Sequence, residues 1–236
     1  MELSPLPARS VVLSLMLGSH PARWTPAQLA AAGTHFGVAA STLRTALTRA
    51  VAAGDLERID GDYVLGERLA RRQRHQDEAV EDAGTAWDGA WEMAVVVVTG
   101  RSGPERAALR EALTEHRLAE LREGVWTRPA NLRRRRGYAD EPVLSTFRAV
   151  PDGDPGELAA ELWDLPGWAA TGRRLLDDLA VPAAPSVRLA VAAGVVRHLA
   201  GDPLLPADLL PADWPGTALR TAYADYAITL RETLQA

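Results

Sequence analysis

Apolar residues recur at helical spacing between residues 40 and 53. Five of them fall at positions i, i+3, i+4, i+7 and i+8: Leu43, Ala46, Leu47, Ala50 and Val51. This spacing forms one apolar stripe, which is typical of a helix that buries one face. Gly54 follows the pattern and suits the residue just past a helix C-terminus. The pattern therefore predicts an amphipathic helix over residues 40–53.

Two more helices are predicted before this one. Residues 8–18 are apolar enough for a buried helix that closes at Gly18. Thr25 then offers an N-cap hydroxyl and Pro26 suits the first helical position, so a second helix begins there. Gly33 is expected to end or weaken this second helix.

A hairpin is predicted directly after Gly54. Residues 56–59 and 62–65 alternate between apolar and polar, and Asp60-Gly61 lies between them. An Asp-Gly pair between two alternating runs is a strong hairpin signal. Three helices followed by a hairpin is the order of a winged helix-turn-helix.

The polar face of the third helix suits the major groove of DNA. Ser41, Thr45 and Thr48 carry short hydroxyl side chains, and Arg44 and Arg49 flank them. Short side chains let a helix enter the groove, and arginine reaches guanine edges or phosphates. The predicted DNA contacts are Ser41, Thr42, Arg44, Thr45, Thr48 and Arg49.

A winged helix that binds protein instead of DNA is the alternative. Such a surface favours exposed apolar or aromatic anchors. The hydroxyl and arginine residues of the third helix favour a DNA groove.

The remaining two thirds of the chain predict a linker, a mixed domain and a helical end. A linker helix over residues 66–83 has a basic first half and an acidic second half. A strand, a helix, two strands and a helix follow, and this order suggests a ferredoxin-like domain. Their predicted ranges are 92–98, 104–116, 124–126, 143–150 and 157–163. The final helices are predicted at 168–180, 185–199 and 215–234, with a rigid proline-rich loop before the last.

The predicted fold class is α+β and mainly helical. The predicted segments are a winged helix-turn-helix at 1–66, a linker helix at 67–86, a ferredoxin-like domain at 87–166 and a helical domain at 167–236.

Charge is distributed unevenly along the chain. The net charge is −5, but residues 1–76 hold nine arginines and six acidic residues. Positive charge is therefore concentrated in the predicted DNA-binding segment, although the total is negative. The chain has no cysteine, which excludes disulfides and thiolate metal sites. Neither a signal peptide nor a long apolar run is present, so a soluble cytoplasmic protein with no membrane partner is expected.

The sequence offers no constellation for catalysis. Its five histidines are scattered, without the spacing of a metal site. Nucleophile-elbow, phosphate-loop and dinucleotide-binding motifs are absent. We expect no enzymatic activity, no catalytic residue, no metal and no cofactor.

Three blocks of sequence together resemble the PaaX family, whose members repress phenylacetate-degradation operons. The first block runs from Phe36 to Leu56 and includes Arg44-Thr-Ala-Leu-Thr-Arg49. The second is Trp87-Asp-Gly-Ala-Trp91 followed by Gly124-Val-Trp126 and Pro129. The third begins at Asp202-Pro and ends at Asp213-Trp-Pro-Gly216. The resemblance extends over nearly the whole chain.

The resemblance implies a homodimer that represses transcription and leaves its duplex DNA operator when a small effector binds. In the best-known members of the family the effector is an aryl-acetyl-coenzyme A thioester. An acyl-CoA-type effector is accordingly the partner that the resemblance suggests.

Candidate effector residues lie in the predicted ferredoxin-like domain. Strand alternation places Trp126 and Arg128 on one face, and an aromatic wall suits a flat acyl group. Residues 133–136 are four consecutive arginines, which form either an exposed loop or a phosphate-binding patch for DNA or a coenzyme. The predicted effector contacts are Trp126, Arg128, Arg133 and Arg134.

The chain departs from the family pattern at two places. Asp60 and Asp62 stand in the wing where relatives often carry arginine, and acids there would repel phosphate. Residues 99–103 lack the acid and the proline-containing turn that often follow the first middle-domain strand in relatives. An acid at this strand end binds metal in the CRISPR-associated nucleases that the middle domain resembles. Its absence removes the simplest nuclease interpretation.

Overall fold

The structure is a computed structural model that describes residues 6–81, 84 and 86–235. The chain forms two compact units that are not continuous in sequence. The winged-helix unit contains the chain up to Glu81, residues Ala170–Gly201 and the chain from Pro215. The sheet unit contains Asp82–Ala169 and Asp202–Trp214. The four domains predicted from the sequence, in contrast, are each one continuous segment. The boundaries of those four domains stay predictions.

The winged-helix unit begins with the predicted three helices and hairpin. Its elements are α1 (Ala8–Leu17), β1 (Arg23–Trp24), α2 (Pro26–His35), α3 (Ala40–Ala52), β2 (Leu56–Ile59) and β3 (Asp62–Leu65). The three strands form an antiparallel sheet in the order β1-β3-β2. The short strand β1 is an element that the sequence pattern did not predict. A common core holds buried residues from the helices and the hairpin: Val12, Met16, Leu29, Leu43, Leu47, Leu56 and Leu65.

Helix α2 begins as predicted but ends later. The Thr25 hydroxyl accepts from the backbone N–H of Gln28, and the Gln28 side chain accepts from the Thr25 N–H. The expectation that Gly33 ends or weakens the helix is wrong in its first part, because the helix continues to His35. A Cβ atom at residue 33 would lie 2.9 Å from a methyl group of Leu43. Glycine here allows α2 to approach α3 closely.

The backbone conformation of the hairpin turn explains why Asp60 and Gly61 stand at this position. Asp60 has φ of 54° and Gly61 has φ of 89°. Two consecutive positive φ values are typical of the two-residue turn whose twist matches antiparallel strands. The predicted hairpin is confirmed, with Glu57 opposite Val64 and Ile59 opposite Asp62.

Helix α4 (Glu67–Glu81) follows the hairpin and confirms that this segment is helical. The last two residues of the helix predicted over 66–83 lie outside the described part of the chain. The side-chain amide of Gln73 donates to the carbonyl oxygens of Leu17 at 2.9 Å and Ser19 at 3.0 Å. These carbonyls lie at the end of α1 and just beyond it, where helical partners are lacking. Gln73 therefore holds α4 against the end of α1.

The sheet unit has the strand order of a ferredoxin-like fold. Its elements are β4 (Trp91–Val96), α5 (Gly103–Glu115), β5 (Ala119–Arg122), β6 (Val125–Pro129), β7 (Leu144–Ala149) and α6 (Pro155–Leu162). All neighbours in the order β5-β6-β4-β7 are antiparallel. A short 3-10 helix, Gly137–Asp140, stands between β6 and β7, where a ferredoxin-like fold has its second crossover helix.

Three details of this unit differ from the sequence prediction. Strand β5 was not predicted, because its Ala-Glu-Leu-Arg sequence resembles a continuing helix. The backbone leaves the helix at Arg117, which has φ of 59°. Strand β4 ends at Val96 instead of residue 98. The apolar spacing of α5 predicts that Ala108 faces inward with Leu109, but Ala108 is exposed.

The proline-rich segment is packed, as predicted. Leu205 and Leu209 are buried together with Trp91. The rings of Trp168 and Trp214 are stacked with centroids 4.2 Å apart. Apolar and aromatic burial therefore holds this segment within the sheet unit.

Three helices complete the chain: α7 (Leu165–Ala180), α8 (Pro185–Ala200) and α9 (Gly216–Gln235). Leu189 of α8 packs in a cluster with Val11, Leu15 and Phe36. Helix α8 also packs along α4. None of the helices in the described part of the chain combines the length and apolar character that a membrane span requires.

Candidate nucleic-acid interface

Helix α3 has one buried face and one exposed face. Leu43, Ala46, Leu47 and Ala50 are buried, and Val51 is half-buried, so the predicted stripe is confirmed. The structure places all the predicted DNA contacts on the exposed surface of this helix: Ser41, Thr42, Arg44, Thr45, Thr48 and Arg49. The winged-helix core therefore holds α3 by its apolar face and leaves the polar face open.

A tight turn sets the start of α3. Gly37 has φ of 70° and donates its backbone N–H to the Thr34 carbonyl at 3.0 Å. Val38 donates to the Gly33 carbonyl at 2.8 Å, which completes the end of α2. Ala39 is the N-cap of α3 and provides no side-chain cap. The position of α3 thus depends on the turn and on packing against α2.

The threonine hydroxyls of α3 already donate within the helix. Thr45 donates to the Ser41 carbonyl and Thr48 donates to the Arg44 carbonyl, each at 3.0 Å. In this arrangement the hydroxyl oxygens keep lone pairs that can accept a hydrogen bond. Such acceptors suit the amino groups of cytosine or adenine, and threonine methyl groups suit the methyl group of thymine.

A groove of about 430 Å³ lies between the start of α1 and the first three turns of α3. Pro7, Ala8 and Arg9 line one side. The other side is lined by Ser41, Thr42, Thr45, Ala46 and Arg49. Four of the predicted DNA contacts therefore share a concave surface with a basic residue of another helix.

Further arginines extend along the start of α4. Arg68 forms an ion pair with Asp55, whose side chain is fully buried and which also pairs with Arg9. Arg71 lies 3.8 Å from Glu67 one helical turn earlier, and an exposed pair of this kind contributes little. Arg72 and Arg74 are exposed. The basic half of the linker helix thus presents several cationic side chains to solvent.

The wing is less acidic than its sequence indicates. Arg23 of β1 lies 2.7 Å from the Asp62 carboxylate and 3.4 Å from the Asp60 carboxylate. Hydrogen bonds to these two acids raise the pKa of Arg23. The guanidinium of Arg58 lies over the Tyr63 ring at 4.7 Å and donates to the Gly61 carbonyl. The wing acids are therefore paired with a cation, which reduces the repulsion of phosphate that their sequence predicts.

The predicted effector residues do not form one open site. Trp126 is buried in the core of the sheet unit, with Ala94, Leu113 and Leu144. Arg128 is fully buried, whereas Arg133 is exposed. Trp126 and Arg128 point to the same side of β6, as strand alternation predicts, but both are covered by protein.

Arg128 donates to groups of its own unit. Its guanidinium contacts the Leu204 carbonyl at 3.0 Å and the Asn131 side-chain oxygen at 2.9 Å. Asn131 also donates to the Leu204 carbonyl, at 2.9 Å. Burial lowers the pKa of Arg128, and the nearby positive charge of Arg134 lowers it further. Arg128 therefore connects β6 to the proline-rich segment.

Arg134 lies in a second buried network of the sheet unit. It donates to the Glu92 carboxylate at 3.1 Å and to the His116 carbonyl at 2.9 Å. Tyr138 donates its hydroxyl to Glu92, and burial raises the pKa of this tyrosine. Among the described residues, no group of three or more histidine, aspartate or glutamate side chains is arranged to hold a metal ion.

The sequence pattern did not identify three residues beside the candidate nucleic-acid interface of the winged-helix unit. Arg9, Arg23 and Asp55 were not predicted as part of the interface, although they orient or line it. The only local signal was the acid placed just after Gly54. Arg9 and Asp55 are 46 residues apart in sequence, and Arg23 and Asp62 are 39 residues apart. Helical and strand spacing therefore gave no indication of these pairs.

Comparisons with known proteins agree with these observations. Three family models match the chain in order. They are the PaaX-like protein at residues 7–69, the PaaX protein central Cas2-like domain at residues 84–140 and the PaaX-like protein C-terminal domain at residues 173–236. The chain is also similar to a solved structure, the uncharacterized protein Rv0674 from Mycobacterium tuberculosis, with 47% sequence identity and a TM-score of 0.81. That match covers 97% of this chain and 99% of the other. A comparison with curated proteins found no match.

Proposed function

The chain belongs to the PaaX family of transcription regulators, and on this premise we propose that it represses a catabolic operon by binding a duplex operator through α3. The observation that carries the proposal is the exposed polar face of α3. Its arginine, serine and threonine side chains stand on a helix whose opposite face is held by a core. A rigid helix with short polar side chains is what a major groove admits.

The role of each residue follows from its chemistry. Arg44 and Arg49 supply forked donors that match guanine edges or phosphate oxygens. Ser41, Thr42, Thr45 and Thr48 are small enough for the helix to approach the bases closely. The hydroxyl oxygens of Thr45 and Thr48 accept from base amino groups, since their protons are donated within the helix.

A homodimer is part of the proposal. One winged helix with a negatively charged chain has little general attraction to DNA. Two copies that present α3 about 34–36 Å apart would read two half-sites in successive major grooves. Affinity would then come from both copies.

Release by a small effector completes the proposed mechanism. An acyl-CoA-type thioester would favour a conformation in which the two helices no longer match the half-site spacing. Trp126, Arg128, Arg133 and Arg134 stay the predicted contacts. Because three of them are covered or hydrogen-bonded within the sheet unit, an effector at this site requires side chains to move.

The composition of α3 supports DNA over a protein partner. Its exposed positions hold alanine, serine, threonine and arginine, whereas protein-binding surfaces depend on large apolar anchors. This composition favours the operator-binding function.

Selection from a random duplex library tests DNA binding directly. The full-length protein is expected to enrich one motif, with two half-sites related by a twofold axis. Affinity for the selected duplex is expected to fall steeply with salt, by a slope of about 0.9 in log K for each neutralised phosphate. No enrichment, together with a flat salt response, would contradict operator binding and favour a protein partner.

The effector is tested in a separate experiment. A thermal-shift screen with acyl-coenzyme A thioesters and their free acids is expected to find a thioester that stabilises the protein. The same compound is expected to release the selected duplex. Stabilisation without release would refute the proposed effector mechanism while leaving DNA binding intact.

A further inference from the structure

Asp55 is an acid with no contact to solvent at the junction of three helices. It follows α3 and precedes β2, and its relative exposure is 0%. One carboxylate oxygen accepts from Arg9 of α1, and the other accepts from Arg68 of α4. Its backbone N–H donates to the Ala50 carbonyl at 3.0 Å, and its carbonyl accepts from Gly66 at 2.8 Å. Asp55 therefore fixes both arginines relative to the end of α3.

The cluster of Arg9, Asp55 and Arg68 holds more positive charge than the burial of one carboxylate requires. A buried carboxylate needs a cation and hydrogen-bond donors, and one arginine supplies both. Here two arginines share one carboxylate, so the Arg9–Asp55–Arg68 cluster keeps a net positive charge. The side chains of Arg9 and Arg68 remain 49% and 70% exposed, which leaves donors that face solvent.

Arg9 places part of that charge beside the proposed DNA-binding helix. It lines the groove of about 430 Å³ together with Ser41, Thr42, Thr45 and Arg49 of α3. The groove thus has a cation on each side, and the hydroxyl groups line the α3 side together with Arg49. The two arginines and the hydroxyl groups of Ser41 and Thr42 can donate to a phosphate group, whereas the Thr45 hydroxyl already donates within α3.

We propose that this groove holds a phosphodiester of the DNA strand beside the major groove that α3 enters. Arg9 contacts that phosphate, and Asp55 is the positioning residue that orients Arg9. Arg68 neutralises Asp55, so that Arg9 keeps its charge for DNA. This inference rests on the proposed function and adds a backbone contact that sets the register of α3 on the duplex.

The test compares Arg9→Gln, Arg9→Lys and the matched control Arg106→Gln in the full-length protein. Arg106 is an exposed arginine of α5 in the sheet unit. Affinity is measured by fluorescence anisotropy over a range of salt, on the selected duplex and on a scrambled duplex. Circular dichroism melts check that each variant is folded.

Arg9→Gln is expected to weaken binding to both duplexes by about the same factor, because phosphate contacts carry no sequence information. The salt slope is expected to fall by about one unit. Arg9→Lys keeps the charge but loses the forked donors, so we expect weaker binding with an unchanged slope. Arg106→Gln is expected to match the wild type.

Asp55→Asn separates positioning from charge. The variant gains one positive charge, so electrostatics alone would strengthen binding to both duplexes. A positioning role predicts weaker binding to both duplexes despite this gain, because Arg9 is no longer held at the phosphate. Equal or stronger binding to both duplexes would refute the positioning role of Asp55.

Several results would overturn the inference. Wild-type affinity and slope in Arg9→Gln exclude a phosphate contact, and a loss confined to the selected duplex assigns Arg9 to a base instead. If Arg9→Gln is unfolded, Arg9→Lys decides, and wild-type affinity on both duplexes then refutes the contact. A wild-type protein that binds neither duplex would refute the proposed function itself.

Discussion

The backbone of Gly66 passes directly against the carbonyl group of Gly54. A Cβ atom at residue 66 would overlap that carbonyl oxygen and lie 3.1 Å from its carbon. The neighbouring backbone bond from Gly66 to the Asp55 carbonyl, at 2.8 Å, depends on the same approach. The end of α3 and the start of α4 are thus joined at a point where only glycine fits.

Gly66→Ala is therefore expected to lower the free energy of unfolding by about 1–3 kcal/mol, as overpacking usually does. Urea unfolding of the full-length protein measures this. Gly103→Ala is the control, because a Cβ at that position meets open space. Equal unfolding midpoints for Gly66→Ala and the wild type would contradict the packing described.

Arg44→Ala and Arg49→Ala are each expected to weaken binding to the selected duplex by about 1–3 kcal/mol, if they contact bases. Both arginines are exposed on α3, so the unfolding midpoint is expected to stay unchanged. Gel shifts with the selected and scrambled duplexes provide the measurement. Wild-type affinity in both variants, with Arg106→Ala as control, would reject these residues as DNA contacts.

Arg23→Ala is expected to weaken DNA binding at low salt. The change leaves Asp60 and Asp62 without their cation, so the wing repels phosphates more strongly. The difference is expected to shrink at high salt because exposed charges are screened. Adding Asp60→Asn and Asp62→Asn to the same protein should restore affinity, and failure to do so would indicate that Arg23 contacts DNA itself.

Asn131→Ala is expected to destabilise the sheet unit by about 1–3 kcal/mol, the cost of buried groups that lose hydrogen bonds. The substitution removes an acceptor from Arg128 and a donor from the Leu204 carbonyl. Urea unfolding followed by tryptophan fluorescence measures the loss. Thr114→Ala changes an exposed residue of the same unit and should alter stability by less than about 0.5 kcal/mol. Equal losses in the two variants would argue against the network.

The folded protein is expected to lose stability in alkali because Tyr226 is buried. Burial raises the pKa of Tyr226 from 10.0 to about 12, so the unfolded chain releases this proton first. The stabilising contribution is complete below pH 10 and is lost as the pH rises toward 12, by up to about 1.4 kcal/mol per pH unit. Urea unfolding across this range should decline less steeply in Tyr226→Phe. Identical pH profiles would show that the hydroxyl does not titrate late.

Local pattern alone predicted much of the winged helix. The spacing of Leu43, Leu47 and Ala50 determined which face of α3 is buried, because helical periodicity depends only on neighbours three and four residues apart. Asp60-Gly61 determined the hairpin, because positive φ at both positions is a local preference. The exposed positions of α3 follow from the same periodicity.

The sequence by itself therefore determined the elements, their order and the face that α3 presents. Tertiary structure decided which charges meet: Arg9 and Arg68 with Asp55, and Arg23 with the wing acids. It also decided that Arg128 is covered, since strand alternation assigns a side of the sheet but not what packs on that side. Periodicity describes neighbours along the chain, whereas these contacts join residues separated by tens of positions, and only the folded chain brings them together.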